Sequence, residues 1–177
     1  SPRAQRKAHQ QRTDDGWQAL QASSWNLKTG ALRPERWTSS DAAGLPVFPA
    51  VVRYDGCARG MVEHAMRFTG RRTRRAYVLP ATHWASQSRD PAHPRMGERF
   101  RLKRSFDVSA FPPHVQAILK GLQKYGMFVA DNGSDWYFQG TVDGGWTNAL
   151  LDQLKQVPAG AFVAVDARAC RVAKHSG

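Results

Sequence analysis

Two histidines and one aspartate are the side chains of this sequence best suited to moving a proton. His64 falls on the apolar side of a strand predicted over 61–69, and His83 immediately precedes Trp84 at the start of a loop. Histidine is the commonest general acid or base because its charge changes near neutral pH. We therefore predict that His64 or His83 is the proton-transfer group and that Asp131 orients it or acts as its partner.

The same residues also have ordinary structural interpretations. A histidine on the apolar side of a strand is more often a hydrogen-bonded part of the core than a base. His83 and Trp84 either bind a sugar or anchor the loop over 82–97, whose length favours a functional role. His64, His83 and Asp131 are possible metal donors, but they lack the close spacing of a local metal site. No nucleotide-binding, zinc-ribbon or protease motif is present, so we expect no metal and no cofactor.

A second set of side chains is suited to binding. Aromatic rings offer apolar faces on which a ligand stacks, and arginine pairs with carboxylates through two parallel hydrogen bonds. Alternation with apolar neighbours places Arg101 and Lys103 on the polar side of one strand and Arg67 on the polar side of the strand over 61–69. A solvated strand face explains such residues equally well. The predicted substrate-binding residues are Tyr54, Arg67, Trp84, Arg101, Lys103, Asn132, Trp136 and Tyr137.

The distribution of charge favours polyanionic partners. The formal net charge is +12, of which residues 1–12 carry +4 and residues 67–104 carry +9. The remaining stretches, 13–66 and 105–177, sum to −1 and zero. A basic field of this kind attracts nucleic acid or acidic polysaccharide, although a run of charge is often only a solvated surface. The predicted polyanion contacts are Arg71, Arg72, Arg74 and Arg75.

The elements that would position these side chains predict a β-rich α+β domain. We expect an antiparallel, β-sandwich-like sheet with two helices, at about 113–125 and 148–157, where apolar residues recur every three or four positions. An Asn-Gly pair lies between two apolar runs, and this arrangement is a strong signal for a hairpin. We therefore predict that 127–130 pairs with 136–138 across Asn132-Gly133.

Length and composition bound the domain organisation. The chain of 177 residues fits one domain with a core of its own. Residues 1–15 are predicted to be a disordered basic tail, 16–172 a single globular domain and 173–177 a second tail. Cys57 and Cys170 either form a disulfide or remain thiols, since spacing alone does not decide. No apolar run reaches the roughly 18 residues of a membrane span, so we expect no membrane contact.

Five segments taken together resemble a known family. They are 37–46, 52–55, 64–69 (HAMRFT), 96–107 (MGERFRLKRSFD) and 124–137 (KYGMFVADNGSDWY). Their order resembles that of a family of secreted bacterial proteins, frequent in actinomycetes and other soil bacteria, some of which adjoin carbohydrate-binding modules. The resemblance covers about residues 16–166. Members of that family carry a further N-terminal half, with a Gly-Asp-Arg-His block and a Leu-Tyr-Glu block, so this chain looks like their C-terminal part.

The resemblance implies an extracellular location and, together with the aromatic and basic side chains, a role in handling carbohydrate. We expect a domain that binds or acts on an acidic polysaccharide, as a lyase, a glycoside hydrolase or a module without chemistry. The paired carboxylates of a glycoside hydrolase are not evident in the sequence. The alternative is a non-catalytic polyanion or nucleic-acid binding module driven by the basic tail and residues 67–104.

Overall fold

A five-stranded mixed sheet forms the centre of the molecule. The computed structural model describes residues 10–14, 16–19, 23–26 and 28–166. At the start of this part, β1 (Gln10–Thr13) pairs antiparallel with β2 (Gly16–Ala19) in a separate two-stranded sheet. The strands of the central sheet are β3 (Met66–Gly70), β4 (Arg99–Leu102), β5 (Met127–Asn132), β6 (Tyr137–Phe138) and β7 (Phe162–Ala164).

The order of the central strands is β6-β3-β5-β4-β7. β3 and β5 are parallel, whereas β6 on β3, β4 on β5 and β7 on β4 are antiparallel. A parallel pair needs a long crossover connection, and residues 71–126 provide one. The predicted α+β class is therefore confirmed, but the sheet is mixed rather than antiparallel. The described residues do not show the predicted β-sandwich.

Three α-helices accompany the sheet in the described part of the chain. They are α1 (Tyr54–Ala58), α2 (Pro113–Lys124) and α3 (Asn148–Leu154). The helices predicted at 113–125 and 148–157 are confirmed, although the second ends before residue 157. Proline suits the first turn of α2 because its fixed φ is helical and its missing N–H has no partner there in any helix. Thr147 caps α3, since its hydroxyl oxygen accepts a hydrogen bond from Leu150 N–H at 3.2 Å.

A glycine lets α2 lie directly on the sheet. A side chain at Gly121 would place its Cβ atom 2.6 Å from the Val62 carbonyl oxygen and 2.9 Å from Met66 Cε. Any larger residue would therefore push the helix away from β3. Met66 and Met127, which begin the paired strands β3 and β5, are buried. The helix is thus packed closely against the start of β3.

The turn at Asn132-Gly133 does not make the predicted hairpin. β6 pairs with the far side of β3 and not with β5. The connection crosses the end of β3, where the Thr69 hydroxyl donates to the Ser134 carbonyl oxygen at 2.7 Å. Gly133 N–H also donates to the Gly70 carbonyl oxygen at 3.1 Å. The hairpin prediction is wrong because an Asn-Gly pair specifies a change of direction but not the edge on which the next strand pairs.

Two element ends differ from the sequence prediction. The strand predicted over 61–69 begins only at Met66, so His64 precedes it. Within the tail predicted over 1–15, residues Gln10–Thr13 form β1. Residues 1–9 and 15, the tail predicted over 173–177 and Cys170 lie outside the described residues, and Cys57 is buried. Among the described residues, the helices are all too short or too polar to cross a membrane.

Candidate functional site

A groove with a volume of about 640 Å³ lies at the end of β3. It is bounded by the arginine-rich turn that follows β3 and by the 91–94 segment, which are joined by a hydrogen bond from Arg74 N–H to the Pro94 carbonyl oxygen at 3.0 Å. We call this cavity the basic groove. Its principal lining side chains are Phe68, Arg71, Arg72, Arg74, His93, Glu98, Phe100, Asp135 and Trp136.

Trp136 is the aromatic centre of the basic groove. Its indole ring stacks on Phe68 with ring centroids 5.5 Å apart and meets Phe100 edge-on at 6.0 Å. The side chain remains 40% exposed. Its backbone is left-handed, with a φ of 54°, which is uncommon for any residue but glycine and costs on the order of 1–3 kcal/mol. Backbone strain of this kind concentrates at ligand sites, and here it fixes an exposed aromatic surface beside the arginines.

Three arginines and two carboxylates line the same groove. Asp135 accepts a hydrogen bond from Arg71 N–H at 2.6 Å, and its other oxygen lies 3.6 Å from Arg71 Nε. Glu98 is held by Arg95 at 3.4 Å, so that its charge is already balanced. Arg74 Nε is buried and finds no hydrogen-bond partner in the described part of the chain. The lining thus holds three arginines against two carboxylates, and two of these arginines, Arg71 and Arg72, are exposed.

His93 is a groove residue that the sequence did not single out. Its Nδ1 lies 3.0 Å from Ser88 Oγ, and its Nε2 lies 3.8 Å from Asp90 Oδ2. These contacts hold the imidazole in place at the groove. The length of the loop over 82–97 is the only sequence signal that pointed toward this residue, because the loop has no periodicity from which a direction follows.

The predicted proton-transfer residues lie elsewhere. His64 Nδ1 is 3.0 Å from the Ala65 carbonyl oxygen, and His83 Nδ1 is 2.9 Å from the Ala42 carbonyl oxygen. Neither histidine lines the basic groove. Within the described ranges, no three His, Cys, Asp or Glu side chains come together as a metal site. None of His64, His83 and Asp131 lines the basic groove, and a catalytic role for them stays a prediction.

Arg67, predicted to face a substrate carboxylate, is instead 5% exposed and part of a buried polar cluster. Its guanidinium group lies 3.4 Å from Asp41 Oδ2 and donates to Gln139 Oε1. Burial raises the pKa of Asp41 to about 6, and the charge of Arg67 partly offsets this rise. The charge of nearby Asp131 adds to it. Arg67 thus joins the segment around Asp41 to β3 and is not available to a ligand.

Arg101 and Lys103 also bind the protein's own backbone. Arg101 Nε donates to the Gln123 carbonyl oxygen at 3.0 Å, which satisfies the C-terminal end of α2. Lys103 Nζ donates to the Gly160 carbonyl oxygen at 2.9 Å. Both side chains therefore hold elements together, and neither lines the basic groove.

Two of the predicted aromatic residues form separate clusters. Tyr54 stacks on His114 with ring centroids 4.9 Å apart. Trp84 stacks on Tyr77 at 5.9 Å, and the Arg75 guanidinium group lies 5.7 Å above its ring. The predicted cluster of four arginines is thus divided, because Arg75 contacts Trp84 while its three neighbours line the basic groove.

A second cavity adjoins the first. It has a volume of about 660 Å³ and lies among β6, α2 and α3. Trp136 and Asp135 line both cavities, and exposed Tyr137 lines the second only. Asn132, also predicted to bind substrate, accepts a hydrogen bond from the Thr73 hydroxyl at 3.0 Å and lines neither. We call the second cavity the apolar groove, because its lining includes Leu122, Phe138, Trp146, Leu151, Leu154, Val157 and Phe162.

Comparison with known proteins adds no relative of known activity. No protein-family model matches the chain, and no curated protein and no solved structure matches it either.

Proposed function

We propose that this domain binds an acidic polysaccharide in the basic groove. A sugar ring stacks on the exposed face of Trp136, and its carboxylate pairs with Arg71, Arg72 or Arg74. The observation that carries the proposal is that a strained, 40% exposed indole and three arginines line one cavity. Planar guanidinium groups match the geometry of a carboxylate, and the stacked indole supplies a flat apolar surface.

The carboxylates in the groove favour an acidic sugar over a nucleic acid. Asp135 and Glu98 accept hydrogen bonds, and a polysaccharide offers hydroxyl donors along its whole length. A DNA backbone carries no hydroxyl groups, so it offers these two carboxylates no donor, whereas its charge alone does not distinguish it from an acidic polysaccharide. The experiment must therefore distinguish binding of an acidic polysaccharide from nucleic-acid binding driven by the basic residues.

The basic groove also contains side chains that could carry out catalysis on a bound polysaccharide. His93 is the imidazole in the lining of the basic groove, and Glu98 and Asp135 are its carboxylates. Each of these side chains is held by a neighbour, as an orienting contact requires. Action as a lyase or a glycoside hydrolase would use these three rather than His64 or His83. An extracellular location remains an expectation from the family resemblance.

The test is calorimetric titration of the chain with three classes of polymer. Polygalacturonate, alginate and hyaluronan are acidic, dextran and xyloglucan are neutral, and single-stranded DNA carries phosphate. We expect binding of at least one acidic polysaccharide, no binding of the neutral ones, and loss of binding in Trp136→Ala. Trp37→Ala is the matched control, since Trp37 is 58% exposed and lies outside both grooves.

Three outcomes would contradict the proposal. They are binding of no acidic polysaccharide, binding of DNA alone, and binding of an acidic polysaccharide that Trp136→Ala leaves unchanged. The same mixtures are then assayed for new reducing ends and for unsaturated products. Product that His93→Gln abolishes would add catalysis to binding, and absence of product would leave a binding module.

A further inference from the structure

The indole of Trp136 lines two cavities of opposite character. One is the basic groove with Arg71, Arg72 and Arg74. The other is the apolar groove, where Trp136 contacts Phe162 with ring centroids 5.1 Å apart. Asp135 lines both cavities as well. A ligand that stacks on Trp136 is thus adjacent to a charged site and an apolar site at once.

The apolar groove has the size and lining of a site for a small apolar group. Its volume of about 660 Å³ falls within the range of roughly 300–1,000 Å³ found for ligand pockets. Leu122, Leu154 and Phe162 from two helices and β7 contribute apolar surface, and Leu151 is 38% exposed there. An exposed ion pair between Lys155 and Asp152 belongs to the same lining, so the groove opens to solvent beside α3.

We infer that the ligand is an acidic sugar that carries an apolar substituent, an alkyl or acyl chain. The sugar lies in the basic groove and the chain lies in the apolar groove, both of which Trp136 lines. The inference rests on the function proposed for the basic groove and narrows its ligand. Burial of the chain removes apolar surface of both ligand and protein from water, which supplies affinity that the exposed arginines alone do not.

Charge argues against a second copy of the chain as the occupant of the apolar groove. Each copy carries a formal net charge of +12, and docking beside the basic groove would bring like charges together. An anionic amphiphile, in contrast, carries a charge opposite to that of this surface. Its charge is attracted to the arginines and its chain matches the adjoining apolar lining.

The test compares three small probes by calorimetry below their micelle concentrations. Octyl β-D-glucuronide has both features, methyl β-D-glucuronide lacks the chain, and octyl β-D-glucoside lacks the acid. We expect octyl glucuronide to bind at least ~10-fold tighter than either of the others, because the chain and the acid each contribute. Leu151→Gln should reduce the advantage of the octyl chain and leave the affinity for methyl glucuronide unchanged.

Leu32→Gln is the matched control, since Leu32 is 49% exposed and lies in neither groove. Octyl glucuronide that binds no tighter than methyl glucuronide would overturn the inference while leaving polysaccharide binding intact. Octyl glucoside that binds as tightly as octyl glucuronide would overturn it too, because the acid would then contribute nothing. Failure of every acidic sugar and polysaccharide to bind would instead reject the function proposed for the basic groove.

Discussion

Arg67 and Arg72 are close in the sequence, yet the end of β3 places them in different surroundings. Arg67 lies within the strand and is buried between Asp41 and Gln139. Arg72 follows the strand, is exposed, and lines the basic groove. The comparison shows that position relative to the strand end, and not residue type, decides whether an arginine here stabilises the fold or is available to a ligand.

The largest expected change in the free energy of unfolding follows from substitution of the buried arginine, Arg67. Arg67→Met leaves the carboxyl group of Asp41 buried without its cation, and breaking a buried pair in this way costs about 3–5 kcal/mol. Arg72→Met, the same substitution beyond the strand end, should change the free energy of unfolding by no more than ~0.5 kcal/mol. Urea denaturation measures both. Equal losses of stability in the two variants would show that the distinction between the two arginines is wrong.

Asp41, the partner of Arg67, should make stability depend on pH. Burial raises the pKa of Asp41 from 3.8 to about 6, so the folded state binds more protons than the unfolded state between these values. The stability that this group contributes is fully present below about pH 4 and is lost as pH rises through about 6, a change on the order of 2–3 kcal/mol.

The measurement is urea denaturation of the wild type and of Asp41→Asn between pH 4 and pH 7. The difference in free energy of unfolding, wild type minus variant, should fall as pH rises, because asparagine does not titrate. Asp55 and Asp107, whose pKa values are lowered by Arg53 and by Ser109, give slopes of the opposite sign that cancel in this difference. A difference that stays constant over the range would contradict the account of Asp41.

The arginines of the basic groove should affect binding more than folding. Substitution of Arg71, Arg72 and Arg74 together by glutamine should weaken binding of an acidic polysaccharide at least ~10-fold at low salt and reduce its dependence on salt. The charge-matched control is Arg104, Lys120 and Lys124 changed to glutamine, because these exposed residues lie outside the basic groove. Equal weakening by the two triple variants would mean that net charge alone attracts the polymer.

The smallest expected effect concerns the backbone of Trp136. Alanine and glycine at this position both remove the stacking surface, but only glycine adopts a φ of 54° without a steric cost. We therefore expect Trp136→Gly to be more stable than Trp136→Ala by about 1 kcal/mol, with binding lost in both. Thermal unfolding compares them, and a Trp136→Ala variant of equal or greater stability would argue against strain at this residue.

The sequence predicted individual helices and strands better than the packing of distant segments against one another. α2 follows from Pro112-Pro113 and an apolar residue every third or fourth position, and both features are local. The position of Arg67 on the polar side of a strand is also local, but a segment that carries Asp41 covers that side. Nothing in the alternation of residues along β3 reveals this distant segment, so Arg67 was assigned to the wrong environment.

The candidate site also depends on contacts between distant segments that the local sequence does not specify. Trp136 and three of the four clustered arginines were singled out from residue type alone, and the structure places them in one groove. His93 was missed because its position depends on the hydrogen bond from Arg74 N–H to the Pro94 carbonyl oxygen, which brings a loop without periodicity to the arginine-rich turn. The approach of Trp136 to Phe68 likewise depends on β6 pairing with β3, which the Asn-Gly turn does not specify.

The most direct test of the central claim is a crystal structure of the chain with an acidic oligosaccharide that binds in the calorimetric panel. We predict a sugar ring stacked on Trp136, with a carboxylate within hydrogen-bond distance of Arg71, Arg72 or Arg74. The competing aromatic and cationic surfaces of the described chain include Trp84, with Arg75 above its ring, and Trp37, with Arg33 above its ring. An oligosaccharide bound there, with the groove at Trp136 empty, would contradict the account.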